Sequence, residues 1–298
     1  MAHIDPKIAL VIVTRNRRNQ LLRTLESLKT LRTRVSWELI VVDNGSTDST
    51  GTVVGAFASV FAQPTRLVSE PALGQGNARN AGWRSAEAQI VAYLDDDCYP
   101  AEDYLDAIHN CFVENPNLGF VSGRILLYDE TDLRMTIQES LRHVSLTPKS
   151  FVLPGFIQGA NSAFRRASLA QVDGFDPRFG GAKGQFLAEE LDVAARISAA
   201  GWHGAYDPRP LVYHHHGRKT RWQAWRLMRV YQRGIGGFYA KSLLFDRQLR
   251  PPFVANLRAI RKLHSYRGWF VIVLAALEFS LRTILARSLE AVAALYAR

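Results

Sequence analysis

KIALVIVT, residues Lys7 to Thr14, is an unbroken apolar run rich in β-branched residues, and a helical pattern follows it directly. Such a run predicts a strand that is buried on both faces of a parallel sheet. In the next segment, Arg17 to Leu31, leucines recur at helical spacing, so this helix is predicted to pack one face against the strand. The two elements form a βα unit.

The βα pattern recurs along the first hundred residues. Strands are predicted over Glu38 to Val42, near Leu67 and over Ile90 to Leu94, and helices after Asp48 and over about Gly76 to Ser85. This alternation predicts an α/β fold in which a mostly parallel sheet carries helices on both faces.

Beyond Pro100 the pattern is less regular. A helix is predicted over Glu102 to Val113, a strand over Gly119 to Leu127 and an amphipathic helix over about Leu187 to Ala200, while Glu130 to Val144 is compatible with a helix. Glycines stand at positions 155, 159, 174, 180, 181 and 184. These glycines indicate loops around a site, because loops on a rigid sheet commonly carry function.

The composition fits a folded protein with a large core. The chain has 298 residues, of which 47% are hydrophobic and 21% charged, and this excludes intrinsic disorder and fibrous repeats. Two cysteines, Cys98 and Cys111, cannot build a disulfide framework, and the start MAHIDPK lacks the apolar stretch of a secretory signal. We therefore expect a cytoplasmic protein.

The positive charge is confined to one end of the chain. Residues 217–298 hold 16 Lys and Arg against 3 Asp and Glu, whereas residues 1–216 hold 21 against 24. This distribution predicts a catalytic unit over residues 1–216, followed by a basic helical region over residues 217–298 that adheres to an anionic surface. A membrane and a polyanion both fit that charge.

Three adjacent acids, Asp95, Asp96 and Asp97, follow the predicted strand IVAYL. In open α/β sheets ligands bind beyond the carboxyl ends of the strands, and three acids there repel each other unless a cation or hydroxyl groups meet them. Oxygen ligands of this kind suit Mg²⁺ or Mn²⁺. The alternative is a solvated acidic turn that caps the next helix.

Two further clusters could belong to the same site. Glu189, Glu190 and Asp192 open the last amphipathic helix of the first unit, where acids either complement the helix dipole or aim a general base into a cleft. His214 and His216 share one face of a predicted strand and could complete a metal shell or meet a diphosphate, unless this stretch is an exposed basic turn.

Together these motifs resemble the family 2 glycosyltransferases, inverting enzymes of the GT-A fold, and the pattern is most similar to bacterial rhamnosyltransferase-like members. The matching segments, which span about two thirds of the chain, are VIVTRNR (11–17), VVDNGSTDST (41–50), LGQGNARNAGW (73–83), YLDDDCYP (93–100), GANSAFRR (159–166), VDGFDPRF (172–179) and EELDVAARISAAGW (189–202). The resemblance implies a nucleotide-binding half over about residues 1–100 and an acceptor-binding half over about residues 101–216.

The resemblance also implies roles for individual residues. The nucleotide-binding residues would be Thr14, Arg15, Asn16, Asp43, Asn77, Arg79, Asp95 and Asp96, and the metal ligands Asp97 with His214 or His216. Within the triplet, Asp96 would lie near the ribose and Asp95 would support the sugar or the metal shell. Glu190 would be the general base, with Asn161, Glu189 and Asp192 supporting the acceptor side and its loop.

The expected activity is metal-dependent transfer of a hexose or deoxyhexose from a UDP- or dTDP-sugar, with Mg²⁺ or Mn²⁺, to a hydroxyl of a surface polysaccharide or lipid-linked glycan. Three alternatives stay open: transfer to a polyprenyl phosphate, a nucleotidyltransferase, and a non-enzymatic polyanion-binding protein that uses the basic tail. Nucleic acid is not an expected partner, because no nucleic-acid-binding module is recognised in the sequence.

The basic tail has the pattern of an interfacial helix. In RWQAWRLMRVYQR (221–233), Trp222, Trp225 and Met228 follow one helical stripe, and arginines 226, 229 and 233 follow another. The later segment Trp269 to Ala286 is a poor bilayer span, since its charge-free stretch is about half of the ~20 residues required. We expect peripheral attachment to an anionic inner leaflet. Alternatively, these helices close the catalytic unit or form a homodimer contact.

Overall fold

A computed structural model describes residues 6–181 and 186–296 of the chain. The strands are β1 (Ile8–Thr14), β2 (Trp37–Asp43), β3 (Thr65–Ser69), β4 (Ile90–Asp95), β5 (Cys98–Pro100), β6 (Leu118–Leu127), β7 (Val144–Leu146), β8 (Asn161–Arg165) and β9 (His203–His214). The helices are α1 (Arg18–Ser27), α2 (Thr50–Ala58), α3 (Gln75–Ser85), α4 (Tyr104–Glu114), α5 (Arg166–Gln171), α6 (Glu189–Ala199), α7 (Arg221–Ala240), α8 (Arg250–Ala255), α9 (Leu257–Lys262) and α10 (Tyr266–Tyr296).

These strands form one mixed sheet with the order β3-β2-β1-β4-β8-β6-β9-β5, and β7 pairs with β9. The first four strands are parallel, as the βα pattern predicts. Antiparallel β8 then joins β4 to β6, while β6 and β9 run parallel to each other. The predicted α/β sheet is thus confirmed, with a parallel half that passes into a mixed half.

The core lies on both faces of the sheet. Alternate residues of β1 point to opposite sides, so Ala9 and Val11 pack with α3 whereas Ile8, Leu10 and Ile12 pack with α1, α2 and α4. All five side chains are fully buried. The unbroken apolar run of β1 follows directly from this two-sided burial.

The parallel half brings three loops to one edge. Thr14 is paired with Asp43 in the register of β1 and β2, and Val13 is paired with Asp95 in the register of β1 and β4. The carboxyl ends of these strands therefore meet at the same edge of the sheet, and the acid triplet begins there.

Segment 130–143 is not a helix. It consists of turns and extended stretches that lead into β7, with Thr136 in the left-handed region at φ 52° and a bridge between Gln138 and Ile125. The helical interpretation of Glu130 to Val144 is wrong because the backbone carbonyls of this segment bond to side chains of other segments, including the ring of His214. Gly184, one of the predicted loop glycines, lies outside the described residues.

The tail region packs onto the unit that precedes it. Phe238 of α7 and Phe279 of α10 belong to the same hydrophobic cluster as Phe179 and Phe186, and Phe279 stacks on Phe179 with ring centroids 5.3 Å apart. The inner faces of α7 and α10 therefore form part of the core next to α6. The division into residues 1–216 and 217–298 stays a prediction.

The outer face of α10 is apolar and exposed. Its exposed apolar residues recur three or four apart along the helix: Phe270, Val273, Leu274, Leu277, Leu281, Ile284, Leu285 and Leu289, which we call the outer stripe. Tyr266–Ala294 is long and apolar enough to cross a membrane by length and composition alone, with 22% of its apolar window buried. On those two criteria the expectation of a poor span is wrong.

Candidate active site

The acid triplet lies at the carboxyl end of β4, and its second and third members are buried. Asp96 accepts a hydrogen bond of 2.6 Å from the Thr14 hydroxyl. Burial raises the pKa of Asp96 to about 7, although the Arg17 charge acts in the opposite direction. Thr14, a predicted nucleotide residue, is therefore joined to the triplet.

Asp97 contacts an arginine and a histidine. Its Oδ2 accepts a hydrogen bond of 2.5 Å from Arg17 Nη2, and its Oδ1 lies 3.4 Å from His214 Nε2. Burial alone would raise the pKa of Asp97, but the bond with His214 and the charge of Arg17 lower it to about 2. Asp97 is thus an ionised carboxylate in a largely buried position.

His214 is oriented by a second bond. Its Nδ1 lies 3.2 Å from the carbonyl oxygen of Thr136, to which it donates, so that Nε2 faces Asp97. Burial opposes a charge on the ring, yet the bond to Asp97 and the charges of Asp97 and Asp95 raise the pKa of His214. A ring held at one nitrogen by a backbone carbonyl is the usual arrangement of a metal-binding histidine.

His216 shares the buried face of this segment with His214, with ring centroids 5.2 Å apart, as strand alternation predicts. Its two nitrogens nevertheless face protein groups. Nε2 lies 3.1 Å from Leu133 O, and Nδ1 accepts a bond from Arg218 N and lies 3.5 Å from Asp132 Oδ2. The structure does not bring His216 to Asp97.

Asp97, Cys98 and His214 could hold a divalent cation. Within the described residues, one ligand atom from each lies within 4.8 Å of the others. Burial raises the pKa of the Cys98 thiol well above its usual range, so this sulfur stays protonated and is a poor ligand. The carboxylate of Asp97 and Nε2 of His214, which faces it, fit a cation such as Mn²⁺, and Arg17 contacts the other oxygen of that carboxylate.

The loops after β1 and β2 face each other. Asn16, in the left-handed region at φ 53°, accepts a bond of 2.7 Å from Thr47 N and donates from its own backbone to Ser46 Oγ. Asp43 accepts a bond of 2.9 Å from Ser46 N. Arg15 is exposed beside Asn16. Three residues expected from the sequence to bind the nucleotide, Arg15, Asn16 and Asp43, therefore lie on or next to two loops that are bonded to each other.

Arg79 connects the triplet to α6. Its Nη2 lies 2.7 Å from Glu190 Oε1 and 3.9 Å from Asp95 Oδ1, and the guanidinium covers the rings of Tyr93 and Phe175. Burial disfavours its charge, but Glu190, Glu189 and Asp95 raise the pKa of Arg79. Asn77, on the same helix, is half-buried and donates to Leu73 O. Arg79 is thus surrounded by the acids of two elements.

The two adjacent glutamates differ in environment. Glu189 is 1% exposed, and burial, together with the charge of Glu190, raises its pKa to about 8. Glu190 is half-buried and paired with Arg79. Gly159 makes room for this pair, because a Cβ there would lie 2.2 Å from both Arg79 Nη2 and Glu190 Oε1. Of the two, Glu190 is the more exposed carboxylate and the one that pairs directly with Arg79.

Asp192 faces away from the triplet and towards the tail. It is fully buried, accepts a bond of 2.8 Å from Arg196 and lies 2.6 Å from Lys241 Nζ. Lys241 also lies 2.8 Å from Asp176. The buried ammonium therefore fixes the first turn of α6 to the end of α7.

Asn161 lies inside the sheet. Its amide donates bonds of 2.9 Å to the carbonyls of Arg124 and Pro210, and its Oδ1 accepts a bond from Tyr104. Its side chain thus ties β6 and β9 together below the loops.

Sequence reasoning missed three residues of the site: Arg17, Lys241 and Tyr231. Arg17 belongs to the motif VIVTRNR, but no local sequence pattern assigns it a partner. Tyr231 of α7 is largely buried near the glutamates, and burial with the charges of Glu190 and Asp95 raises its pKa. In the sequence, Tyr231 stands out only by its helical spacing from Trp222 and Trp225. That spacing does not indicate that it lies near the glutamates.

The chain is similar to known glycosyltransferases in sequence. The family model described as Glycosyl transferase family 2 matches residues 9–173. The pre-mycofactocin glycosyltransferase of Mycobacterium tuberculosis is 28% identical over 225 residues, which cover 72% of this chain and 44% of the relative. The O-antigen chain rhamnosyltransferase RfbN of Salmonella typhimurium is 26% identical over 231 residues, which cover 72% of this chain and 68% of the relative. The chain thus spans less than half the length of the first relative.

Solved structures share its fold. The mannosyltransferase PcManGT from Pyrobaculum calidifontis, in complex with GDP-Man and Mn²⁺, aligns with a TM-score of 0.62 at 20% identity and covers 92% of this chain and 80% of its own. A fragment of S. aureus TarS in complex with UDP-GlcNAc aligns with a TM-score of 0.56 at 16% identity, and the alignment covers 88% of this chain and 82% of that fragment. These likenesses confirm the predicted α/β GT-A fold.

Proposed function

The chain belongs to glycosyl transferase family 2, and from this premise we propose that it is a metal-dependent inverting transferase acting on a nucleoside-diphosphate sugar. The proposed donor is a UDP- or dTDP-linked hexose or deoxyhexose. The proposed acceptor is a hydroxyl of a surface polysaccharide or of a lipid-linked glycan. A rhamnosyltransferase and a polysaccharide synthase among the similar proteins support this class of product.

The observation that carries the proposal is the position of Glu190. Arg79 lies 2.7 Å from Glu190 and 3.9 Å from Asp95, so the candidate base and the carboxyl end of β4 border the same space. Transfer with inversion requires a base on the acceptor side of the sugar and charge stabilisation on the diphosphate side. A site with Glu190 at one end and Asp97 at the other meets both requirements.

Glu190 is the proposed general base. As the acceptor hydroxyl attacks the anomeric carbon, Glu190 takes its proton, and the sugar's bond to the diphosphate breaks. Arg79 keeps the Glu190 carboxylate oriented from below, since the bond comes from a fully buried guanidinium. The proton therefore passes to an oxygen that the fold already holds in place.

Asp97 and His214 are the proposed ligands of Mg²⁺ or Mn²⁺. When bound there, the cation supplies positive charge that stabilises the leaving diphosphate. Support comes from the ionised state of Asp97 and from the bond between His214 Nδ1 and Thr136, which turns Nε2 towards Asp97. Thr14, Arg15, Asn16, Asp43, Asn77 and Asp96 are the proposed contacts to the nucleoside and ribose.

The tail is the proposed attachment to the inner face of the cell membrane. The outer stripe of α10 is apolar, and Trp222, Trp225 and Met228 of α7 are 62, 56 and 49% exposed. Residues 217–298 also hold most of the chain's excess of basic side chains. An apolar surface with basic neighbours is complementary to anionic lipid. Such attachment would bring the site to a lipid-linked acceptor.

The test is calorimetric binding of UDP, dTDP, GDP and CDP with and without Mn²⁺, on the wild type and on Asp97→Asn. The expected result is Mn²⁺-dependent binding of UDP or dTDP that the substitution abolishes. Asp103→Asn, at an exposed position just before α4, is the matched control and should bind like the wild type. Absence of binding for all four nucleotides with Mn²⁺ would refute the proposal.

A further inference from the structure

The structure places one arginine directly on the proposed metal ligand. Arg17 stands between β1 and α1, and its guanidinium reaches across to the acid triplet. Nη2 donates to Asp97 Oδ2 over 2.5 Å, and Nε lies 3.1 Å from Asp96 Oδ1. One cation thus spans two adjacent carboxylates.

Both carboxylates need such a partner. The side chains of Asp96 and Asp97 are each 6% exposed, whereas that of Arg17 is 39% exposed. Two neighbouring buried acids repel each other, and an ionised acid without a partner is costly to bury. In the cation-free protein the Arg17 guanidinium supplies a positive charge in contact with both carboxylates.

We propose that Arg17 is a built-in counter-ion that occupies Asp97 in the cation-free protein and is displaced by the divalent cation. This inference rests on the metal site of the proposed function. A cation held by Asp97 and His214 lies next to the guanidinium, because Arg17 and His214 contact the two oxygens of the same carboxylate. At such short range a guanidinium and a divalent ion repel each other strongly.

The exchange needs only a side-chain rotation. Asp96 Oδ1 already contacts Arg17 Nε, so the guanidinium keeps one partner when it leaves Asp97. Its side chain is 39% exposed, so the guanidinium can turn towards solvent.

This exchange makes metal affinity depend on the strength of the Arg17 contact. Arg17→Gln keeps a polar side chain but removes the charge, so we expect Mn²⁺ to bind about tenfold more tightly than to the wild type, without nucleotide. The same variant should unfold at a lower temperature than the wild type in EDTA, and saturating Mn²⁺ should remove most of that difference.

The experiment titrates MnCl₂ into each variant by calorimetry and follows thermal unfolding in EDTA and in Mn²⁺. Arg18→Gln is the matched control, because Arg18 is exposed and adjacent, and its loss changes the net charge equally. The expected result is tighter binding for Arg17→Gln alone, together with an unfolding difference that Mn²⁺ removes.

Three outcomes overturn the inference. Equal Mn²⁺ affinity of Arg17→Gln and wild type means that Arg17 does not compete with the cation, while the metal site itself stands. Equal gains in Arg17→Gln and Arg18→Gln mean that net charge, rather than the contact, sets the affinity. Absence of Mn²⁺ binding in all three proteins refutes the metal site of the proposed function, and the inference with it.

Discussion

The guanidinium of Arg79 lies 2.7 Å from the carboxylate of Glu190 and is fully buried beneath it. Glu190→Gln keeps an oxygen that can accept the Arg79 bond but removes the capacity to take a proton. We expect turnover to fall by about 10²–10⁴-fold, measured as nucleoside diphosphate released from UDP- and dTDP-sugars, while nucleotide affinity changes little.

Glu102→Gln is the control for this variant, because Glu102 forms an exposed surface pair with Arg32. It should turn over like the wild type. Turnover close to normal in Glu190→Gln would remove the general-base role and would favour a phosphate acceptor such as a polyprenyl phosphate, which needs no strong base.

Glu189 should make the folded protein less stable as the pH rises. The unfolded chain releases this proton near the ordinary value of 4.5, whereas the folded chain keeps it to about 8. Between these values the folded state binds more protons, so its free energy of unfolding falls by roughly 1 kcal/mol per pH unit from this group. Glu189→Gln removes that slope.

The measurement is urea unfolding of both proteins at several pH values between about 5 and 8. The gain in stability of Glu189→Gln over the wild type should grow with pH. A difference that is constant across this range would show that Glu189 is ionised in the folded protein.

Lys241→Met should destabilise the fold strongly. Lys241 lies 2.6 Å from Asp192 and 2.8 Å from Asp176, and all three side chains are largely buried. Methionine fills a similar volume but leaves two buried carboxylates without this cation, a loss that costs about 3–5 kcal/mol. Denaturant unfolding measures it. Lys262→Met, at an exposed position of α9, should change stability by less than about 0.5 kcal/mol.

The outer stripe of α10 should carry binding to anionic membranes. Leu281 and Leu285 are 63 and 62% exposed on this stripe. Replacing both with glutamate removes apolar area and adds repulsion from anionic lipid, so vesicle binding should weaken at least about tenfold. Co-sedimentation with phosphatidylcholine vesicles, with and without phosphatidylserine, measures this change.

Leu141→Glu is the control for vesicle binding, because Leu141 is 72% exposed but lies outside the tail. It should bind vesicles like the wild type. If the stripe variant binds as well as the wild type, or if no protein sediments with the anionic vesicles, the proposed membrane attachment is wrong.

The parallel half of the fold was predictable because its signals are local. A strand buried on both faces must be apolar throughout, so β1 and β4 stand out in the sequence, and the acids that follow β4 lie at the sheet edge by topology alone. The helix predicted for segment 130–143 is absent because the backbone carbonyls of this segment accept hydrogen bonds from distant groups such as the His214 ring. The periodicity of apolar residues does not reveal such partners.

The site was predictable as a set of residues but not as a network. The order of the motifs predicts that Asp97, Glu190 and Arg79 belong to one site. The pairing of Arg79 with Glu190 and of Arg17 with Asp97 depends on how α3 and the loop after β1 cross the sheet edge. Residue spacing does not encode these crossings. The roles assigned to these side chains stay predictions until the variants are measured.

The close approach of Gly234 in α7 to Leu187 limits the exchange of tail segments between family members. A Cβ at this position would lie 2.0 Å from the carbonyl oxygen of Leu187, just ahead of Glu189 and Glu190. The tail and the start of α6 are thus fitted to each other with less tolerance than one methyl group. A chimera that takes its tail from another family member must therefore carry glycine at this position. A larger residue would push against Leu187 and move the start of α6, and with it the two glutamates, away from Arg79.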